Sequence, residues 1–178
     1  MSASSTVWQG AGRRIHMQEA GTRDGLQMEQ AFVPTEDKIA LVNALSDAGL
    51  SKIEVTSFTS PTAIPALRDA EIVMREITRL PGTVYTALVP NLRGAERAIE
   101  ARTDELNLVM SASETHNISN LRMTREQSFA RLAQGVATAQ AGQAPGYLSL
   151  SCEIGCPMEG HVHASAVFDW VQRFADLG

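Results

Sequence analysis

The stretch Glu19-Ala20-Gly21-Thr22-Arg23-Asp24-Gly25-Leu26-Gln27 concentrates more chemical capacity than any other part of the sequence. Arg and Asp stand side by side between two glycines, which let the backbone turn tightly enough for a guanidinium and a carboxylate to converge on one ligand. The carboxylate is the kind of hard oxygen ligand a divalent cation takes, and a fixed guanidinium suits a developing oxyanion. An ordinary ion pair on a surface loop accounts for the same two residues equally well. Elsewhere, Glu54, Ser57, Asn91, Ser113 and Glu114 are the polar residues near the ends of apolar runs, and Cys152 and Cys156 form a C-x-x-x-C spacing.

A scaffold has to hold such groups, and the hydrophobic pattern supplies one. Short apolar runs at Ile15–Ala20, Ile53–Phe58, Thr83–Val89, Glu105–Ala112 and Tyr147–Ile154 read as strands. Between them lie amphipathic stretches. The first is a helix over Thr35–Ala48, with Thr35 as N-cap, Ile39, Val42 and Leu45 on one face, and Gly49 as its stop. Leu67, Ala70, Met74 and Ile77 mark the next, closed by Pro81-Gly82. Asn91 caps a helix carrying Leu92, Ala95 and Ile99. Thr124 and Gln127 make a capping-box pattern ahead of Phe129, Leu132, Val136 and Ala139. Val167, Val171, Phe174 and Leu177 mark the last helix face. Five strand–helix units predict an α/β protein with a parallel sheet. Spacing alone leaves a doubly wound sheet and a (β/α)₈ barrel both open, although no G-x-G-x-x-G follows the first strand. In either architecture the ligand site lies at the C-terminal ends of the strands, where Arg23 and Asp24 fall.

The 178 residues suit one domain, with 1–12 as a flexible N-terminal segment and 13–178 as the folded part. With 15 Lys and Arg against 20 Asp and Glu, the net charge of −5 argues against nucleic acid and anionic membranes as partners. No apolar run approaches the roughly 18 residues of a membrane span, and Met1–Gly12 lacks the apolar core of a secretory signal. Two cysteines make no disulfide framework. Reduced, buried thiols in a reducing compartment are expected, hence a cytoplasmic location ahead of a mitochondrial matrix one.

The segment around Arg23 resembles the E-x-G-x-R-D-G-L-Q signature of the 3-hydroxy-3-methylglutaryl-CoA lyase family of metal-dependent barrel enzymes. The resemblance continues through Ile53-Glu54-Val55-Thr56-Ser57-Phe58-Thr59-Ser60-Pro61, Val89-Pro90-Asn91-Leu92-Arg93-Gly94, Ser111-Ala112-Ser113-Glu114 and Ser151-Cys152-Glu153-Ile154-Gly155-Cys156-Pro157-Met158-Glu159-Gly160. It implies a (β/α)₈ TIM barrel, of which about five units are present, since a complete barrel takes about 250 residues. It further implies that Arg23 is catalytic, that Asp24 is a ligand to Mg²⁺ or Mn²⁺, and that Glu54 orients Arg23 by a charge-assisted hydrogen bond. Gln27 and Ser57 would line an acyl-CoA pocket together with Arg23. The reaction implied is cleavage of 3-hydroxy-3-methylglutaryl-CoA, or a close analogue, to acetyl-CoA and acetoacetate in leucine catabolism. The metal would acidify the substrate hydroxyl, and Arg23 would hold the enolate oxygen. A homodimer is expected at full length.

The sequence departs from the family pattern in two places. Thr22 stands where Pro is common, and the aromatic usual just before the S-C-x-x-G-C-P run has no match in register, Tyr147 lying five residues before Cys152. His161-Val162-His163 has metal-ligand spacing but sits just ahead of the last helix, and is read as solvent-facing. The family's own H-x-H ligands, an Asn ligand and a catalytic Cys would fall beyond Gly178, so the chain is expected to be part of a longer protein or the product of a truncated gene. Two alternatives follow: a condensing synthase of the isopropylmalate or citramalate type, and an inactive half-barrel.

Overall fold

The computed structural model describes residues 17–178. The expected 1–12 segment and the start of the first strand at Ile15 lie outside the described residues. Within them, strand β1 (Gln18–Glu19) runs into a π-helical turn at Gly21–Gly25, followed by α1 (Thr35–Asp47), β2 (Lys52–Ser57), α2 (Ala70–Glu76), β3 (Val84–Val89), α3 (Leu92–Glu100) and β4 (Glu105–Ser111). Then come α4 (Glu114–Leu121), α5 (Arg125–Ala141), β5 (Gly146–Ser151), a small hairpin of β6 (Gly155–Cys156) and β7 (Gly160–His161), and α6 (Ala164–Ala175). No helix among the described residues is long and apolar enough to cross a membrane.

The sheet order β1-β2-β3-β4-β5, all parallel, has no switch point, which removes the doubly wound alternative. Side chains bridging non-adjacent strands show how strongly the sheet curls. Flat strands four places apart would be separated by about 19 Å. Yet Gln18 on β1 donates from Nε2 to the Tyr147 hydroxyl on β5 at 2.8 Å. Lys52 on β2 likewise pairs with Glu105 on β4, across β3. Five strands therefore form a half-barrel, with a concave polar face and a convex apolar one.

Strand periodicity sorts the residues between those faces. Ile53, Val55, Tyr85, Ala87, Val89, Leu106, Leu108 and Met110 point outward and are buried with Val42, Val73, Met74, Ala95, Ala98 and Leu132 of the helices. Lys52, Glu54, Thr86, Glu105, Asn107, Tyr147 and Ser149 occupy the alternate positions, facing the interior. Gly94 lets α3 seat against the end of β2, since a Cβ there would lie 2.9 Å from the Phe58 carbonyl oxygen. Gly49, at φ +86°, ends α1 in a conformation that side chains resist.

Three features differ from the sequence reading. Thr35 is the first residue of α1, with Pro34 in the capping position. α4 is a helix that the apolar pattern does not mark, because caps rather than an apolar stripe hold it. Ser113 accepts from the His116 N–H at 3.1 Å, Arg125 binds Glu114 at 2.9 Å, and buried Asn117 donates to the Met123 carbonyl and the Ser128 hydroxyl. In α6 the buried position is Trp170, while Val171 is exposed. Phe129 of α5 draws that face round, since its ring centroid lies 5.9 Å from Trp170 and 4.9 Å from Phe174. The capping box is present as the pattern predicts, with Thr124 and Gln127 each bonding the other's backbone. Thr124→Ala is expected to lower stability by about 1 kcal/mol, read as a lower urea midpoint with an unchanged slope.

Candidate active site

The π-helical turn begins where Ala20 accepts both the Arg23 and the Asp24 backbone N–H, at 3.0 and 2.7 Å, which throws these two side chains over the C-terminal mouth of the strands. Thr22 is buried beneath them, and its hydroxyl donates to the Glu54 carbonyl at 2.8 Å. That bond explains how Thr replaces Pro here: it takes up a strand carbonyl that a Pro ring has no donor to reach.

Arg23 reaches down from the turn into the half-barrel. Its Nε donates to Glu54 Oε1 at 2.8 Å and its Nη1 to Asp24 Oδ1 at 2.7 Å. Glu54 is the third residue of β2, so it stands inside the barrel wall and not at the strand's end as the pattern suggests. Its side chain is 3% exposed, that of Arg23 16% and that of Asp24 69%. The three form a gradient: a buried anion, a half-buried cation pinned by it, and a carboxylate open to solvent at the rim. Asp24 is a single hard oxygen donor well placed to contribute to a cation site. Among the described residues no group of three or more His, Cys, Asp and Glu could hold a metal ion.

The ladder between β2 and β3 slips between Glu54 and Thr56, and this bulge decides where Ser57 points. Strict alternation from Glu54 would put Thr56 inside and Ser57 outside. Instead Ser57 pairs with Leu88, two residues beyond Thr86, the partner of Glu54, and so shares the interior face. Its hydroxyl is tied to that of Thr59 at 2.6 Å. Gln27 lies elsewhere, lining a cavity of about 380 Å³ with Phe32, Ile64, Pro65 and Arg68. A larger cavity of about 620 Å³ lies between α5, α6 and the start of β5, away from the Arg23 turn. Asn91 caps α3, accepting from the Gly94 N–H at 3.0 Å, and Ser113 caps α4.

Sequence reading overlooked the partners of Glu54. Gln18 Nε2 donates to Glu54 Oε2 at 3.0 Å, and Asn107 Nδ2 lies 3.5 Å from both carboxylate oxygens. Ser149 donates to Asn107 Oδ1 at 2.8 Å. The available signal was polar alternation within strands, at Glu105, Asn107 and Ser111 of β4 and at Tyr147, Ser149 and Ser151 of β5.

Around the C-x-x-x-C turn, both thiols are free, Cys156 buried and Cys152 only half-buried, a correction to the expectation that both are buried. Burial pushes the Cys156 thiol up, but hydrogen bonds from the Ser113 hydroxyl at 3.0 Å and from backbone N–H groups bring it below its usual value. His161 and His163 are both exposed, 6.0 Å apart between ring centroids, with His163 at the start of α6.

The fold and the mouth of the strands define a β/α-barrel protein with an Arg–Asp–Glu cluster at the catalytic edge of the architecture. The HMGL-like family model matches residues 14–178, and the chain belongs to that family. It is 43% identical to the hydroxymethylglutaryl-CoA lyase YngG of Bacillus subtilis and 38% identical to the mitochondrial lyase of Gallus gallus, each over 93% of this chain and 56% of the relative. An HMG-CoA lyase from Acinetobacter baumannii, solved with coenzyme A and 3-methylmalate, superposes with a TM-score of 0.87 at 49% identity, covering 90% of this chain and 52% of that one. The Bacillus subtilis HMG-CoA lyase structure gives a TM-score of 0.90 at 42% identity, over 94% and 56%. The chain thus spans about half the length of the relatives it matches.

Glu159 anchors the β6–β7 hairpin to α4. Its Oε1 accepts the Thr115 N–H at 2.6 Å, and hydrogen bonds from Thr115 and Ser113 hold its carboxyl at about 2, below the ordinary 4.5. A depressed carboxyl contributes stability that is fully present above its unfolded value and is lost as pH falls through the folded one. Protection of the Thr115 amide from hydrogen exchange is therefore expected to hold above pH 4.5 and to fall away toward about pH 2. In Glu159→Gln that pH dependence should disappear.

Proposed function

We propose that the full-length protein is a metal-dependent carbon–carbon lyase acting on 3-hydroxy-3-methylglutaryl-CoA or a close acyl-CoA analogue, releasing acetyl-CoA and acetoacetate in leucine catabolism. The observation that carries this reading is Arg23, held from below by buried Glu54 through Nε and turned toward Asp24 at the rim through Nη1. A guanidinium fixed by a buried anion keeps its geometry as charge develops on a substrate oxygen, which is what preorganised oxyanion stabilisation requires. Among the described residues Arg23 Nη2 has no hydrogen-bond partner, which leaves its N–H groups to donate to the thioester oxygen as the enolate forms. Asp24 would hold a Mg²⁺ or Mn²⁺ ion, which supplies Lewis-acid polarisation of substrate oxygens when bound.

Gln27 and Ser57 are assigned to the acyl-CoA pocket, Ser57 from the interior face of β2 and Gln27 from the cavity it shares with Phe32. Support for an acyl-CoA substrate comes from the relative solved with coenzyme A. A homodimer and a cytoplasmic location belong to the same reading. Relatives of both cytoplasmic and mitochondrial description exist.

Arg23→Gln keeps a donor but loses the charge. In the full-length protein it is expected to cut turnover by about 10²–10³-fold while metal content stays at the parent level. Thioester cleavage and metal analysis on the same preparations test this, and near-normal turnover would remove Arg23 from the role. Condensation of acetyl-CoA with a 2-oxo acid in place of cleavage would favour a synthase. The 178-residue chain alone is expected to cleave no thioester with added Mg²⁺ or Mn²⁺, since Asp24 is the one metal ligand assigned in it.

A further inference from the structure

We propose that Gln18 and Asn107 are positioning residues that lock the Glu54 carboxylate into the one orientation in which it fixes Arg23; the proposal rests on the lyase reading above. A carboxylate on a flexible stem can present either oxygen, or neither, to a guanidinium. Here both oxygens are engaged from different sides. Arg23 Nε takes Oε1 at 2.8 Å, Gln18 Nε2 takes Oε2 at 3.0 Å, and Asn107 Nδ2 brackets the pair at 3.5 Å from each. Rotation of the carboxylate about its last bond would break the Arg23 and Gln18 bonds together.

The two amides are themselves held. Gln18 uses its second N–H on the Tyr147 hydroxyl at 2.8 Å, and the Lys52 ammonium lies 4.1 Å above the centre of that ring while pairing with Glu105. Asn107 accepts from Ser149 at 2.8 Å, which turns its NH₂ group toward Glu54. Four strands thus converge on one carboxylate: β1 through Gln18, β2 through Glu54, β4 through Asn107 and β5 through Ser149 and Tyr147. An apolar interior would close the barrel equally well, and buried polar groups bring a desolvation cost that packing alone does not require. Their arrangement is a continuous set of contacts from the Lys52–Glu105 pair to the guanidinium at the mouth. Neither amide reaches the rim where substrate would sit, so each acts through Glu54.

In the full-length protein, Gln18→Met and Asn107→Leu, which keep side-chain size and remove the donors, are each expected to lower kcat about tenfold while leaving KM for the acyl-CoA within about twofold. In an Arg23→Gln background neither should lower it further, a non-additivity that a merely structural role would not produce. The Arg23 Nε–H resonance, assigned by its loss in Arg23→Gln, supplies a readout free of the reaction. It should shift and exchange with solvent about tenfold faster in Gln18→Met. Gln18 is exposed in this chain and Asn107 buried, so a folded Gln18→Met carries the test where Asn107→Leu does not fold. Active parent enzyme with kcat and the resonance both unmoved in Gln18→Met would overturn the proposal. An inactive parent whose resonance still moves would overturn the lyase reading and leave the positioning role standing.

Discussion

A carboxylate removed from water costs several kcal/mol unless charge and hydrogen bonds replace the lost hydration. At 3% exposure, Glu54 imposes that demand on everything around it. Arg23 supplies the compensating charge, which explains why the π-helical turn after β1 folds back over the mouth of the strands and does not run outward. Gln18 and Asn107 supply amide donors, which places polar residues at interior positions of β1 and β4. The curl of the sheet brings Asn107, two strands from β2, within reach of Glu54, and Tyr147, four strands from β1, within reach of Gln18.

The interaction is reciprocal. Arg23 depends on Glu54 for its direction, and the position of Asp24 is set by the same turn, so the rim of the site is built from the inside outward. The bulge after Glu54 extends this logic along β2. By absorbing one residue it keeps Ser57 on the interior face and returns Phe58 to the convex core, where it is 1% exposed. The Thr22 hydroxyl satisfies the Glu54 carbonyl beside that irregularity. The strand is distorted so that Glu54 and Ser57 both face inward, at a spacing that alternation does not give.

On the convex side the physics is simpler. Outward-facing Ile53, Val55, Tyr85, Ala87, Leu106 and Met110 are covered by helices whose own apolar residues match them. Polar caps then fix where each helix begins. Asn91 and Thr124 act as caps in the way their position ahead of apolar periodicity implies. Separating an apolar convex layer from a polar concave one lets a single chain stabilise itself on one face and present chemistry on the other.

By itself, the sequence determined the five main strands and the helix that follows each, the parallel connection between them and the segment that carries Arg23 and Asp24. These depend on local periodicity, caps and short motifs, all written within a few residues of one another. It also determined membership of the lyase-like family, because five motifs recur in register along the chain. Tertiary structure alone decided that Glu54 stands mid-strand, that a bulge turns Ser57 inward, and that Gln18, Asn107, Tyr147 and Ser149 meet around one carboxylate. It also rotated α6 to bury Trp170 against Phe129. Those outcomes rest on contacts between residues 31 to 129 positions apart, such as Arg23 with Glu54 and Gln18 with Tyr147. No local pattern encodes which strand will lie opposite which until the chain has closed around its own interior.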